Sequence, residues 1–175
     1  MIFCAARADD PVVEVIRGLI ARYPQVSARL LIGEDRISAN PKLNNLQKGW
    51  RAATGDWVAM ADANLLLPPD FLWRLVAERR PGVALVTSPP IGIRDDGAWS
   101  ALECAFLNGN QARLQLVADD LGLGFAQGKT LMWSRDFLEA QGGLRALGRN
   151  LANTLTRRDE GTNSAPPPVT DWYDR

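Results

Sequence analysis

Apolar positions along this chain recur with two different periods. Short runs at Ile2 to Ala6, Arg29 to Ile32, Trp57 to Ala61 and Val83 to Thr87 read as strands. Between them the apolar residues return every three or four positions, as they do on a helix. Val12, Val13, Ile16, Leu19 and Ile20 form one stripe behind Asp10 and Pro11. Leu43, Leu46 and Trp50 form a second behind Asn40 and Pro41, and Phe71, Leu72, Leu75 and Val76 follow Pro68-Pro69-Asp70. An acid or carboxamide beside a proline is a helix-start signal, because it accepts first-turn amides while proline needs no partner for its nitrogen. Alternating strand and helix signals predict an α/β fold. Pro89-Pro90 stops the fourth strand. Ala98 to about Ala118 then reads as one longer helix, with Leu102, Ala105, Phe106 and Leu114 at apolar positions. Phe125 to Trp133 reads as a strand or buried loop, and Asp136 to Ala140 as a short helix closed by Gly142-Gly143.

The pattern ends there. The stretch from Thr156 to Pro168 has no periodicity and almost no apolar content. We divide the chain into a domain at residues 1–147 and a divergent tail at 148–175, which is predicted to be disordered.

Composition narrows the chemistry more than the fold. At 175 residues, 46% hydrophobic and 23% charged, the chain fits one soluble domain with a real core. Lys+Arg and Asp+Glu balance at 20 each, so no global field points to nucleic acid or an anionic surface. Cys4 and Cys104 lack metal-ligand spacing and are expected to be buried free thiols in a reducing compartment. Histidine is absent, which removes Ser-His-Asp and Cys-His catalysis and nearly all zinc chemistry. Acid–base work falls to carboxylates, and a catalytic metal would be hard and oxygen-bound. No apolar run approaches the roughly 20 residues that span a bilayer.

Four places carry candidate chemistry. The run Trp57-Val58-Ala59-Met60-Ala61 ends in Asp62, and Asn64 follows. This reads as a buried parallel strand delivering a carboxylate to the rim of a sheet, where ligands of open α/β folds bind. Asp62 and Asn64 are either half of a metal-binding Asp-x-Asp element or a turn. Asp9-Asp10 is either a helix cap or a cleft acid. Asn40-Pro41-Lys42-Leu43-Asn44-Asn45 is denser in polar groups than a helix start needs. Lys42 and Asn45, three apart, suit an anionic or nucleobase ligand, or belong to a solvated first turn. Glu103, with Trp99, Phe106 and Asn108 around it, is either solvated or faces a cleft. Gly128-Lys129-Thr130 is not a phosphate loop: Leu123 stands where that motif needs glycine, and a helix precedes it.

In order and spacing, these segments resemble the ceramide glucosyltransferase family, glycosyltransferase family 21. The match runs through Asp9-Asp10-Pro11, Ala28 to Gly33, Asn40 to Leu46, Ala61-Asp62, Gly82 to Pro90, Leu102-Glu103 and Gly142-Gly143-Leu144, and covers about Ile2 to Leu147. Its most specific part is Asn-Pro-Lys-x-Asn-Asn-Leu. Ser88 to Gly92 and Gly124 to Thr130 look closest to bacterial members, some associated with hopanoid glycosylation. The resemblance implies a GT-A-like α/β sandwich, here incomplete, that binds a nucleotide sugar. It implies inverting transfer of a hexose from a UDP-sugar to a lipid hydroxyl of ceramide or hopanoid type. Asp10 falls on the family's first aspartate, near the uridine. Asp62 falls on its second, near the diphosphate and a Mg²⁺ or Mn²⁺ ion. With Asn40, Lys42, Asn45 and Asn64 they form the expected donor-binding set.

The departures are as specific. Relatives carry Asp-Ser where this chain has Asp62-Ala63. They begin earlier, with a membrane helix and another strand, and continue to a Glu-Asp pair, whose Asp is the expected base, and a Gln-x-x-Arg-Trp motif. Neither motif occurs here; Asp159-Glu160 reverses the acids and Asp171-Trp172 has no matching surroundings. We therefore expect a truncated or frame-disrupted product with little or no transferase activity and no identifiable catalytic base, or else a non-catalytic nucleotide-sugar-binding remnant. Its expected location is the cytoplasm or the cytoplasmic face of a membrane in which intact relatives are embedded.

Overall fold

The protein, represented by a computed structural model, is described over residues 1–93 and 96–148. All of the predicted tail except Gly148 therefore lies outside the described residues. The described residues fall into two compact units: Met1–Val58 with the segment from Trp133 to Gly148, and Ala59–Met132.

In the first unit, β1 (Ile2–Ala5) and β2 (Arg29–Ile32) pair in parallel, Ile2 opposite Arg29 and Ala5 opposite Ile32. Parallel neighbours need a crossover, which α1 (Val12–Arg22) provides. Its stripe turns Val13 and Ile16 into the core while Val12 and Leu19 stay exposed. Helix α2 (Pro41–Ala52) follows β2 and buries Leu43 and Trp50. Near the end of the described residues, the short helices α6 (Arg135–Ala140) and α7 (Leu144–Leu147) bury Leu138, Leu144 and Leu147. Each such side chain contributes about 1.5–3 kcal/mol on leaving water. The predicted Gly-Gly stop after α6 is a Schellman turn. Gly143 N–H donates to Leu138 C=O at 2.8 Å and Gly142 N–H to Glu139 C=O at 2.9 Å. Both glycines have positive φ. Helix α7 was not anticipated, since one turn is too short for a period to show.

A three-stranded sheet is ordered β3–β5–β4, with β3 at Trp57–Ala61, β4 at Leu85–Thr87 and β5 at Thr130–Ser134. Helix α3 (Phe71–Ala77) lies between β3 and β4 in sequence and buries Phe71 and Leu75. The ends of β3 and β5 are tied crosswise. Asp62 N–H donates to Lys129 C=O at 3.0 Å and Arg135 N–H to Asp56 C=O at 2.8 Å, so these strands run antiparallel. This corrects the expectation of a buried parallel strand. β3 is an edge strand among those described, with Ala59 and Ala61 exposed and Val58 and Met60 half-buried. Small outward alanines disguise period-two alternation as a continuous apolar run.

The long helix predicted from Ala98 is real but interrupted. α4 (Ala98–Phe106) passes through a π-helical turn at Leu107–Gln111 into α5 (Ala112–Asp120). Leu-Asn-Gly-Asn-Gln is a poor α-helix sequence, and Asn108 has another use. Its carboxamide accepts from Gly92 N–H at 2.8 Å and donates to Gly92 C=O at 2.9 Å. That bidentate clasp holds the chain after β4 against the helix, a setting in which π turns recur.

Both cysteines are free and half-buried rather than buried, each pressed against a glycine. A Cβ on Gly49 would lie 2.6 Å from Cys4 Sγ; one on Gly92 would lie 2.5 Å from Cys104 Sγ and 2.7 Å from its Cα. Gly49→Ala and Gly92→Ala should each destabilise the fold by about 1–3 kcal/mol. In urea titrations, Cys4→Ala should restore most of the Gly49→Ala loss. Cys104→Ala should not rescue Gly92→Ala, because the backbone clash remains. Equal rescue at both sites would contradict this packing.

Candidate functional site

The first unit collects its polar residues where α2 begins. Asn40 caps the helix, its side-chain oxygen accepting from Lys42 N–H at 3.0 Å. Lys42 itself is half-buried in the first turn. The two following asparagines are turned to different tasks. Asn44 is only 7% exposed. Its oxygen accepts from Ile37 N–H and Ser38 N–H at 2.9 and 3.0 Å, its nitrogen donates to Ser38 C=O at 3.1 Å, and its carbonyl accepts from Asp35 N–H. The loop between β2 and α2 is thus folded around one side chain. Asn45 donates to Cys4 C=O at 3.1 Å and accepts from Lys48 Nζ at 2.6 Å. Lys48 also donates to Asn45 C=O and Gly33 C=O. Through Asn45 and Lys48, the carboxyl ends of β1 and β2 are fastened to α2.

Burial lowers the Lys48 pKa from its usual value, while Cys4, Asp35 and Glu34 draw it back up. Burial raises the pKa of the Cys4 thiol, and Lys48 and a backbone hydrogen bond from Gly49 oppose that.

At the end of β1 the acidic pair divides. Arg7 grips Asp9 through both carboxylate oxygens and holds its pKa below the usual carboxylate value. Asp10 accepts from Val12 N–H at 3.0 Å, so it does cap α1. It is exposed, and one carboxylate oxygen makes that bond.

In the second unit Asp62 follows β3, half-buried, with Asn64 exposed two residues on. Lys129 Nζ lies 3.7 Å from Asp62 Oδ2. The lysine precedes β5, and its own carbonyl is the acceptor that holds Asp62 N–H. Its loop leads from α5 into a strand, the wrong order for a phosphate loop, which agrees with the reading of Leu123 above. No three His, Cys, Asp or Glu side chains among the described residues converge on a metal-sized space. A Mg²⁺-like ion can use a single protein carboxylate when it keeps waters and takes substrate phosphates as its other ligands, and Asp62 is a carboxylate with 23% of its side chain exposed. Asp62 would hold it, and the ammonium beside it is already a cation in that neighbourhood. Glu103 is exposed on α4. Lys48, Asn44 and Lys129 were missed as partners because their roles depend on pairings 6 to 67 residues away in sequence.

The sequence model of glycosyl transferase family 21 matches residues 1–157. The chain belongs to this family. Ceramide glucosyltransferase 1 of Caenorhabditis elegans is 30% identical over 154 residues, covering 87% of this chain and 33% of the relative. Ceramide glucosyltransferase 3 of the same organism is 27% identical over 154 residues, covering 87% and 34%. The chain thus spans about one third of the length of these family 21 relatives. Among solved structures, a mannosyltransferase of Pyrobaculum calidifontis, in complex with GDP-Man and Mn²⁺, superposes with a TM-score of 0.59 at 21% identity. The match covers 79% of this chain and 36% of that one. This likeness shows the fold, the GT-A-like α/β arrangement expected from the sequence.

Two outcomes follow from the first unit. Asn44→Ala leaves the Ile37 and Ser38 amides unpaired and should cost about 2–4 kcal/mol in urea unfolding; a cost near zero would show the loop holds without it. Because only the thiolate reacts, iodoacetamide should label Cys4 at pH 8 more slowly than it labels a free cysteine peptide. Lys48→Met should slow labelling further by removing the charge that favours the thiolate.

Proposed function

We propose that this chain is the donor-binding part of a lipid glycosyltransferase, whose reaction is inverting transfer of a hexose from a UDP-sugar to a ceramide- or hopanoid-like hydroxyl. The observation that carries the reading is Asp62. It stands at the end of β3, half-exposed with a cation beside it, inside a match to family 21 that runs through residues 1–157. In this reading Asp62 would hold Mg²⁺ or Mn²⁺ near the diphosphate, and Asn64 would belong to the donor-binding set. The ion supplies neutralisation of the charge that builds on departing UDP. Asp10 contacts the nucleotide with the carboxylate that also starts α1. Asn40 and Lys42 serve the donor from the start of α2, and Asn45 sets the position of that start through Cys4 and Lys48.

Exposed apolar side chains support a lipid partner. Trp73 is 77% and Trp99 85% exposed, and Leu102 and Phe106 share Trp99's helix face. Such residues fit a membrane interface. No described helix is long and apolar enough to cross a membrane; the exposed apolar side chains are the features that would meet a membrane face.

Calorimetry on the full chain with Mn²⁺ should show UDP binding, with GDP weaker by about tenfold or more. Equal affinities would remove the uridine assignment.

A further inference from the structure

We propose that Lys129 is a further donor-binding residue. Its ammonium stands beside Asp62; it would yield that place to a divalent cation and would then pair with the donor diphosphate. The inference rests on the reading of Asp62 given above and extends it to a residue that reading does not contain.

The geometry comes first. Lys129 Nζ is 3.7 Å from Asp62 Oδ2, with both side chains partly open to solvent. The backbone leaves this pairing little freedom. Asp62 N–H donates to Lys129 C=O, and the next carbonyl, on Thr130, accepts the Thr87 hydroxyl at 2.8 Å. Lys129 is therefore held in register between the two neighbouring strands while its four-carbon stem stays mobile. A compact ammonium on a flexible stem suits a phosphate that has to be followed through a reaction.

Charge then decides what the lysine does. With Asp62 alone it forms a neutral pair. A divalent ion held by the same carboxylate would repel the ammonium, and a nearby diphosphate would attract it. The two phosphates of a nucleotide sugar carry two negative charges. Asp62, Lys129, a divalent ion and that diphosphate sum to neutrality. Departure of the sugar adds a further negative charge to the diphosphate, and a point charge free to approach it stabilises that change. The glycine-rich loop preceding Lys129 turns at Gly122 with positive φ, and leads directly into β5. This delivers the lysine to a strand start, unlike a phosphate loop.

The test uses the full chain with Mn²⁺ and UDP as probes. In Lys129→Gln, Mn²⁺ alone, read by electron paramagnetic resonance, should bind about threefold or more tighter because its competitor is gone. UDP at saturating Mn²⁺, read by calorimetry, should bind about tenfold or more weaker, and Lys129→Arg should stay within about threefold of the parent. Asp62→Asn separates the two ideas. If it abolishes Mn²⁺ binding while Lys129→Gln changes neither affinity, the lysine proposal falls and the Asp62 reading stands. If Asp62→Asn changes nothing, both fall. Thermal melts check folding of each variant. Should a variant unfold, lysine acetylation of the parent, mapped by mass spectrometry, decides. Mn²⁺ alone should raise labelling of Lys129 and Mn²⁺ with UDP should suppress it; labelling indifferent to both overturns the proposal.

Discussion

The first unit hangs on one ammonium. Lys48 donates to Gly33 C=O at the end of β2 and to both oxygens of Asn45, whose nitrogen reaches Cys4 C=O on β1. A charge half out of water is costly unless its donors are used, and here they are spent on the groups that must be held together. Two parallel strands expose their last carbonyls where a ligand cleft would form, and the lysine and asparagine satisfy those carbonyls from the next helix. Cys4 packs on Gly49 for the same reason: only a residue without a side chain lets α2 come close enough for Lys48 to reach.

The three-stranded sheet solves a different problem with the same economy of parts. Its strands are short, and their positions are fixed by contacts at the ends more than by long ladders. Asp62 on Lys129 ties the residues just outside β3 and β5, Thr87 on Thr130 ties β4 to β5, and Asn108 on Gly92 ties the helix to a loop. The π turn is the clearest case. One helix carries an interruption so that a single asparagine can clamp a distant backbone from both sides.

Local order was legible where the chemistry is local. Strand limits at Arg29–Ile32 and Trp57–Ala61 and the caps at Asp10 and Asn40 follow from residues a few positions apart. The family match was legible for the same reason, since Asn-Pro-Lys-x-Asn-Asn-Leu is one continuous phrase. What escaped were decisions made by partners far along the chain. Nothing around Asn44 and Asn45 tells which one turns inward. Nothing around Trp57–Ala61 tells that β5 will pair with it in the opposite direction. Lys129 could be excluded from one motif by its neighbours, yet its place beside Asp62 arises only when the strands meet.

Asp10 and Asp62 differ in what their presence can testify. The Asp10 carboxylate starts α1, so a chain under pressure only to stay folded would keep it, whatever had become of any nucleotide. An acid with a structural duty is a poor witness to chemistry. A phenotype on its loss would confound folding with recognition.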